Sequence, residues 1–266
     1  MQGRLTPPVG NRIQAFPAAL WKEEFVHASK IGLAAIEWIV ESPLEANPLW
    51  TAAGSEEIGE QIAGSGVRVD FVCADYFMEV PFVRMKPGEM DHNRDVLNHI
   101  IRQSSGIGIR GIEIPFVDAS AIHSPAEEDE LCRALEPCLS LARQHGILIG
   151  LETSLPPDRF QKLLTKMDHP SIRANYDIGN SASLGYDPGE EIGAYGKLIN
   201  NVHIKDRVRG GSTVKLGTGD AELPRVFKLL HGIGYRGSFT LQAARGPDEV
   251  NTVREYVEQV KKWICN

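Results

Sequence analysis

One pattern constrains this chain more than any other. Short β-branched apolar runs alternate with polar loops and amphipathic helical stretches along its whole length. The runs cover residues 1–5, 34–40, 67–73, 111–116, 147–152, 173–177, 201–204 and 238–242, eight in all. Each has the length and continuous apolar character of a parallel strand buried on both faces. Between them, residues 21–29, 133–144, 222–230 and 250–263 carry apolar side chains at three- and four-residue spacing, which predicts helices. Gly32, Gly66, Gly111, Gly146 and Gly234 stand where a left-handed C-cap would end a helix, and Asp158 and Asp220 are placed as N-caps. Strands alternating with helices imply right-handed βαβ units. Eight such units in 266 residues predict a closed (β/α)8 barrel of the TIM type, with residues 1–266 as one domain. A doubly wound open sheet is the alternative, but no G-x-G-x-x-G follows an early strand.

Composition narrows the partners. The formal net charge of −7 offers no long-range positive field, which argues against nucleic acid and anionic membranes. Cys73, Cys132, Cys138 and Cys265 form no C-x-x-C pair, so free thiols in a reducing compartment are expected. The opening Met1-Gln2-Gly3-Arg4-Leu5 has no basic-then-apolar leader, and no apolar run reaches bilayer length. A cytoplasmic protein is the expectation.

In a barrel of this kind the reactive groups sit at the C-terminal ends of the strands. Read in order, those ends carry Glu37, Asp75, Glu113, Glu152, Asp177, His203 and Gln242. Any one carboxylate there could be a helix cap. Glu152, Asp177 and His203 on successive strands, followed by Gln242, instead form a mixed oxygen and nitrogen set. Crowded at one mouth, they would repel or stay desolvated without a cation. The set suits one divalent ion, Mn²⁺ first on ligand hardness, with Mg²⁺, Co²⁺ or Zn²⁺ as alternatives.

Several segments resemble the sugar phosphate isomerase/epimerase group of the xylose isomerase-like TIM barrel superfamily. They are Gly150-Leu151-Glu152, Tyr176-Asp177-Ile178-Gly179-Asn180, Val202-His203-Ile204-Lys205-Asp206, Gly217-Thr218-Gly219-Asp220 and Gly234-Tyr235-Arg236-Gly237. The resemblance implies that Glu152, Asp177 and His203 are metal ligands and that Gln242 takes the place of a fourth ligand that is normally glutamate. In the group's ketose epimerases that glutamate also trades a proton with substrate, which Gln242 cannot do. Asn180 stands where many relatives place a substrate-contacting histidine.

The expected reaction is metal-assisted proton transfer beside a carbonyl, through an enediolate, with Glu152 as the proton carrier. Asp206 or a water is the candidate second acid/base, and Asp206 has a competing role behind His203. The substrate is a small carbohydrate, phosphorylated or not. Glu113, Asp158 and Asn180 are candidate contacts to it. The basic, glycine-bearing loops after the last two strands suggest Arg209 and Arg245 as further contacts, while Arg207 and Lys215 read as solvated. A keto-inositol dehydratase or a sugar-binding barrel without turnover are the alternatives. A relative that cleaves abasic DNA would need more strand-end histidines and a basic surface. A homodimer is the expected assembly.

Overall fold

The computed structural model describes residues 1–10 and 12–264. In chain order its strands are β1 (Ala35–Ile39), β2 (Arg68–Cys73), β3 (Gly111–Phe116), β4 (Leu148–Thr153), β5 (Ile172–Asp177), β6 (Ile199–Ile204), β7 (Asp206–Arg207), β8 (Thr213–Val214) and β9 (Ser238–Leu241). β1 to β6 and β9 pair in parallel in the order β1-β2-β3-β4-β5-β6-β9 and are buried on both faces. β7 and β8 form a separate antiparallel hairpin.

The ring is closed by the first two residues. Gln2 bridges to Glu37 in parallel, the Glu37 amide donates to Met1 O at 2.7 Å, and the Gln2 amide donates to Leu241 O at 3.3 Å. The expected first strand over residues 1–5 is thus a two-residue stave. Gly3 ends it at φ +49°, a left-handed conformation that favours glycine, and a Cβ there would crowd the Ile39 side chain at 2.7 Å.

The helices wrap the outside: α1 (Trp21–Ile31), α2 (Ala52–Ser65), α3 (Tyr76–Glu79), α4 (Glu89–Gly106), α5 (Pro125–Gln144), α6 (Pro157–Met167), α7 (Ile178–Leu184), α8 (Pro188–Tyr195), α9 (Leu223–Gly232) and α10 (Glu249–Ile264). Local chemistry explains several ends. Ser124 accepts the Glu127 amide to cap α5, and Asp187 accepts the Gly189 and Glu190 amides to cap α8. α5 runs through Pro137, whose missing N–H leaves the Arg133 carbonyl free; the Arg94 guanidinium fills that vacancy at 2.7 Å. Two cap expectations are corrected. Asp158 lies inside the first turn of α6, and Asp220 precedes Glu222, which flanks α9 without a side-chain cap. Gly111 is a strand residue, not a C-cap: a Cβ there would meet the Phe71 ring at 2.4 Å.

Between sheet and helices the core is apolar, with Phe25, Leu97, Ile112, Ile114, Leu135, Ile149, Leu163 and Val202 all fully buried. Each such side chain contributes about 1.5–3 kcal/mol through burial. The inside of the ring is different. Gln2, Glu37, Asn175, Asn201, His203 and Thr240 are buried there as a polar layer. Asn201 donates to Glu37 and Asn175, each at 2.9 Å, and accepts from the Thr240 hydroxyl at 3.1 Å. This layer is the floor of the site. Cys73, Cys132 and Cys138 are free thiols, while Cys265 lies outside the described residues. Among the described residues no helix is long and apolar enough to cross a membrane.

Candidate active site

Strand alternation aims the key groups. Asn175 and Asp177 on β5, and Asn201 and His203 on β6, are two residues apart and so share a face. The β5–β6 register sets Asp177 beside His203. His203 is fully buried, and both of its ring nitrogens meet carboxylates. Nε2 lies 3.0 Å from Glu37, and Nδ1 lies 3.3 Å from Glu152 and 3.8 Å from Asp177. Burial opposes a charge on this ring, but Glu37 and Glu152 outweigh it and raise its pKa well above the usual imidazole range.

Glu152 is held from two sides. Asn180 donates to Oε1 at 2.6 Å and Asn175 to Oε2 at 2.9 Å. Burial would push this carboxyl up, yet His203, Lys205 and Asn180 together hold it below the ordinary glutamate value. Its neighbour Glu113 behaves oppositely. Both Glu113 oxygens are buried without a partner, and burial, reinforced by the Glu152 charge, pushes its pKa well up. The two neighbouring carboxyls are therefore shifted in opposite directions. Asp75 is likewise raised to about 6 by burial, although Gln14 and the Cys73 thiol donate to it.

Asp177 has a double duty. One oxygen accepts the Asn180 amide at 2.8 Å, which caps α7, and the other receives the Lys205 ammonium at 2.6 Å. Gln242 donates to Gln2 at 2.6 Å, which leaves its carbonyl oxygen buried and unpartnered. Glu113, Glu152 and His203 each offer a donor atom within 4.8 Å of one another. That cluster shares Glu152 and His203 with the sequence-derived set and includes Glu113, where the sequence pointed to Asp177. The orphaned oxygens of Glu113 and Gln242, with Glu37 fastening the far nitrogen of His203, are the donors and support a hard divalent ion needs.

Asp75, Glu113, Glu152 and Gln242, but not Asp177 or His203, line a cavity of about 400 Å³ at the barrel mouth, together with Arg12, Gln14, Glu41, Cys73, Glu79, Asp118, Asn180, Lys205 and Arg207. Glu113, Glu152, Asn180 and Gln242 are thus brought together as the sequence suggested. Others are not. Asp206 is fully buried and accepts the amides of Gly217, Gly219 and Ala221, so it organises a loop instead of meeting substrate. Arg245 spends its guanidinium on the carbonyls of Gly3, Thr6 and Ile13. Arg209 lines a different cavity, about 220 Å³, beside Tyr186 and Glu191. Asp158 is exposed and paired with Lys162. Arg207, read as solvated from sequence, instead reaches Asn180 at 2.8 Å within the mouth. Its place just past the end of β6, two residues beyond Lys205, was the available signal. Gln2, Gln14 and Cys73 gave no such signal, because each arrives from a segment far away in sequence.

The xylose isomerase-like TIM barrel family model matches residues 25–264. A protein of Escherichia coli (strain K12), provisionally named L-ribulose-5-phosphate 3-epimerase SgbU, is 24% identical over 92% of this chain and 90% of its own. D-psicose 3-epimerase from Clostridium cellulolyticum H10, solved with D-tagatose, superposes with a TM-score of 0.78 at 13% identity, covering 92% of this chain and 93% of its own. The IolI protein solved with a zinc atom gives 0.74 at 15% identity, covering 91% and 90%. The family match spans most of the chain and its relatives are named as epimerases, so the protein is an enzyme belonging to the xylose isomerase-like TIM barrel family.

Proposed function

We propose that the protein moves a proton at the carbon beside a carbonyl of a small carbohydrate, as an isomerase or epimerase, with a divalent cation at the strand ends. One observation carries the reading: Glu152, held below the usual glutamate range by its partners, and Glu113, pushed up by burial, face the same cavity, next to unpartnered oxygens. Glu152, Asp177, His203 and Gln242 would hold the cation, and their hard oxygen-rich set favours Mn²⁺. Bound there, the cation supplies Lewis-acid stabilisation of the negative charge that develops on the substrate oxygens.

The remaining chemistry belongs to the chain. Asn175 and Asn180 fix both oxygens of Glu152, so its carboxylate is oriented before substrate arrives and serves as the base. A positioned base of this kind contributes roughly 10²–10⁴-fold. Gln242 cannot accept a proton. Glu113 is the second group that can hand one over, and its use would distinguish an epimerisation from an isomerisation run on Glu152 alone. The amide donors and Lys205 meanwhile favour the charged form of Glu152, and Lys205 also donates to Asp177, in a site that excludes much of the solvent.

The test is incubation of metal-loaded protein with ketopentoses and ketohexoses in deuterated water. Deuterium should appear at the carbon beside the carbonyl, and chelation should stop it. Loss of water from a keto-inositol instead would make the enzyme a dehydratase. Tight sugar binding with no exchange would make it a binding barrel.

A further inference from the structure

We infer that the carbohydrate taken by this mouth is uncharged, a free ketose or keto-polyol rather than a sugar phosphate. The inference rests on the proposed reading of the mouth as the substrate site. A phosphate needs free donors: an unengaged arginine fork, a lysine, or backbone amides turned outward from a glycine-bearing loop. Each cation that lines this mouth is already engaged by the protein itself, and Arg209 lines a separate cavity.

The glycine loop after β8 is occupied by an internal anion. Asp206 accepts the amides of Gly217 at 2.8 Å, Gly219 at 2.9 Å and Ala221 at 3.1 Å. The loop is wrapped so closely that a Cβ on Gly219 would sit 2.3 Å from the Asp206 carboxylate. The amides that would cradle a phosphate thus point at a buried side chain. Among the cations lining the mouth, Arg207 gives Nε and Nη2 to Gly211 O, at 3.0 and 2.7 Å, and Nη1 to Asn180. Arg12 is forked onto Glu41 at 2.8 and 3.1 Å, and Lys205 is committed to Asp177. Capturing a phosphate would compete with these charge-assisted bonds.

The wall is richer in carboxyl groups than in cations. Glu41, Asp75, Glu79, Glu113, Asp118 and Glu152 line the cavity with only Arg12, Lys205 and Arg207 among its cations. What the mouth leaves unpartnered are acceptor oxygens, on Glu113 and Gln242. Sugar hydroxyls donate to such oxygens, and a phosphate dianion cannot.

Two measurements on the wild-type protein test this. Calorimetric titration with a pentitol and with the same pentitol carrying a terminal phosphate reads binding without turnover. Equal or weaker binding of the phosphate supports the inference, and tenfold tighter binding overturns it. Deuterium incorporation should then show a kcat/KM at least tenfold higher for a ketopentose than for its 5-phosphate, and the reverse ratio overturns the inference. Absence of exchange from both ketoses speaks against the proposed proton transfer, and the pentitol pair still decides the question of charge.

Discussion

Glu152 and His203 show how much a single side chain depends on what surrounds it. A carboxyl buried alone would take up a proton; Glu152 keeps its charge because Asn175, Asn180, Lys205 and His203 converge on it. Glu152→Gln keeps the shape and the two amide contacts nearly intact but cannot accept a proton. It should lower solvent deuterium exchange by roughly 10²–10⁴-fold with the far-UV circular dichroism unchanged. Exchange at the wild-type rate would remove Glu152 from the role of base. Glu37 acts one step further out, by gripping Nε2 of His203 at 3.0 Å and so directing Nδ1 toward the carboxylates. Glu37→Gln should weaken divalent-ion affinity by about 10- to 100-fold in a calorimetric titration, as loss of a ligand's outer partner does. An unchanged affinity would reduce Glu37 to a packing residue.

At the level of elements, the loop following β7 and β8 is built around Asp206, and α8 is built around Glu191. Asp206→Ala would remove the acceptor of three partly exposed amides, each hydrogen bond to a charged group being worth about 1.5–3 kcal/mol. Faster hydrogen exchange across residues 207–221, with the rest of the barrel protected, is the outcome to look for; uniform protection would mean the loop is held by other contacts. Glu191 is buried on α8 and receives the hydroxyls of Tyr176, Ser181 and Tyr195. Burial nevertheless raises it to about 7 against those donors. A carboxyl whose folded pKa lies above its unfolded one adds stability in acid, and that contribution is lost as pH rises. The window here runs from about 4.5 to about 7, and the loss is about 3 kcal/mol. Glu191→Gln should flatten the fall in unfolding free energy across that window, measured by urea titration at several pH values. An equally steep fall in the variant would assign the pH dependence to other groups.

For the molecule as a whole, the donor set at the mouth couples ion binding to folding. Saturating divalent ion at about 100 times its dissociation constant should add about 2.7 kcal/mol to the folded state, raising Tm, and a chelator should reverse the shift. An unmoved Tm would argue that the orphaned oxygens of Glu113 and Gln242 serve substrate alone. The barrel and its strand ends were legible in the chain because they follow from periodicity: apolar runs recurring every 26 to 44 residues admit few topologies, and strand ends are where a barrel presents reactive groups. Glu113, Glu152, Asn180 and Gln242 reach one cavity for that reason. What periodicity cannot carry is direction and partnership beyond the strands. Arg207 turns into the mouth while Arg209 and Arg245 turn away, and the difference lies in which carbonyls and carboxylates three-dimensional closure brings within reach. Asp206 became a loop anchor because three backbone amides, eleven to fifteen residues away in sequence, fold back onto it. The alternation of strand and helix, together with the acids and the imidazole at the strand ends, thus came from the chain alone. The protonation of the acids and the commitment of the cations were decided by tertiary structure, because both depend on desolvation and on neighbours that sequence distance does not encode.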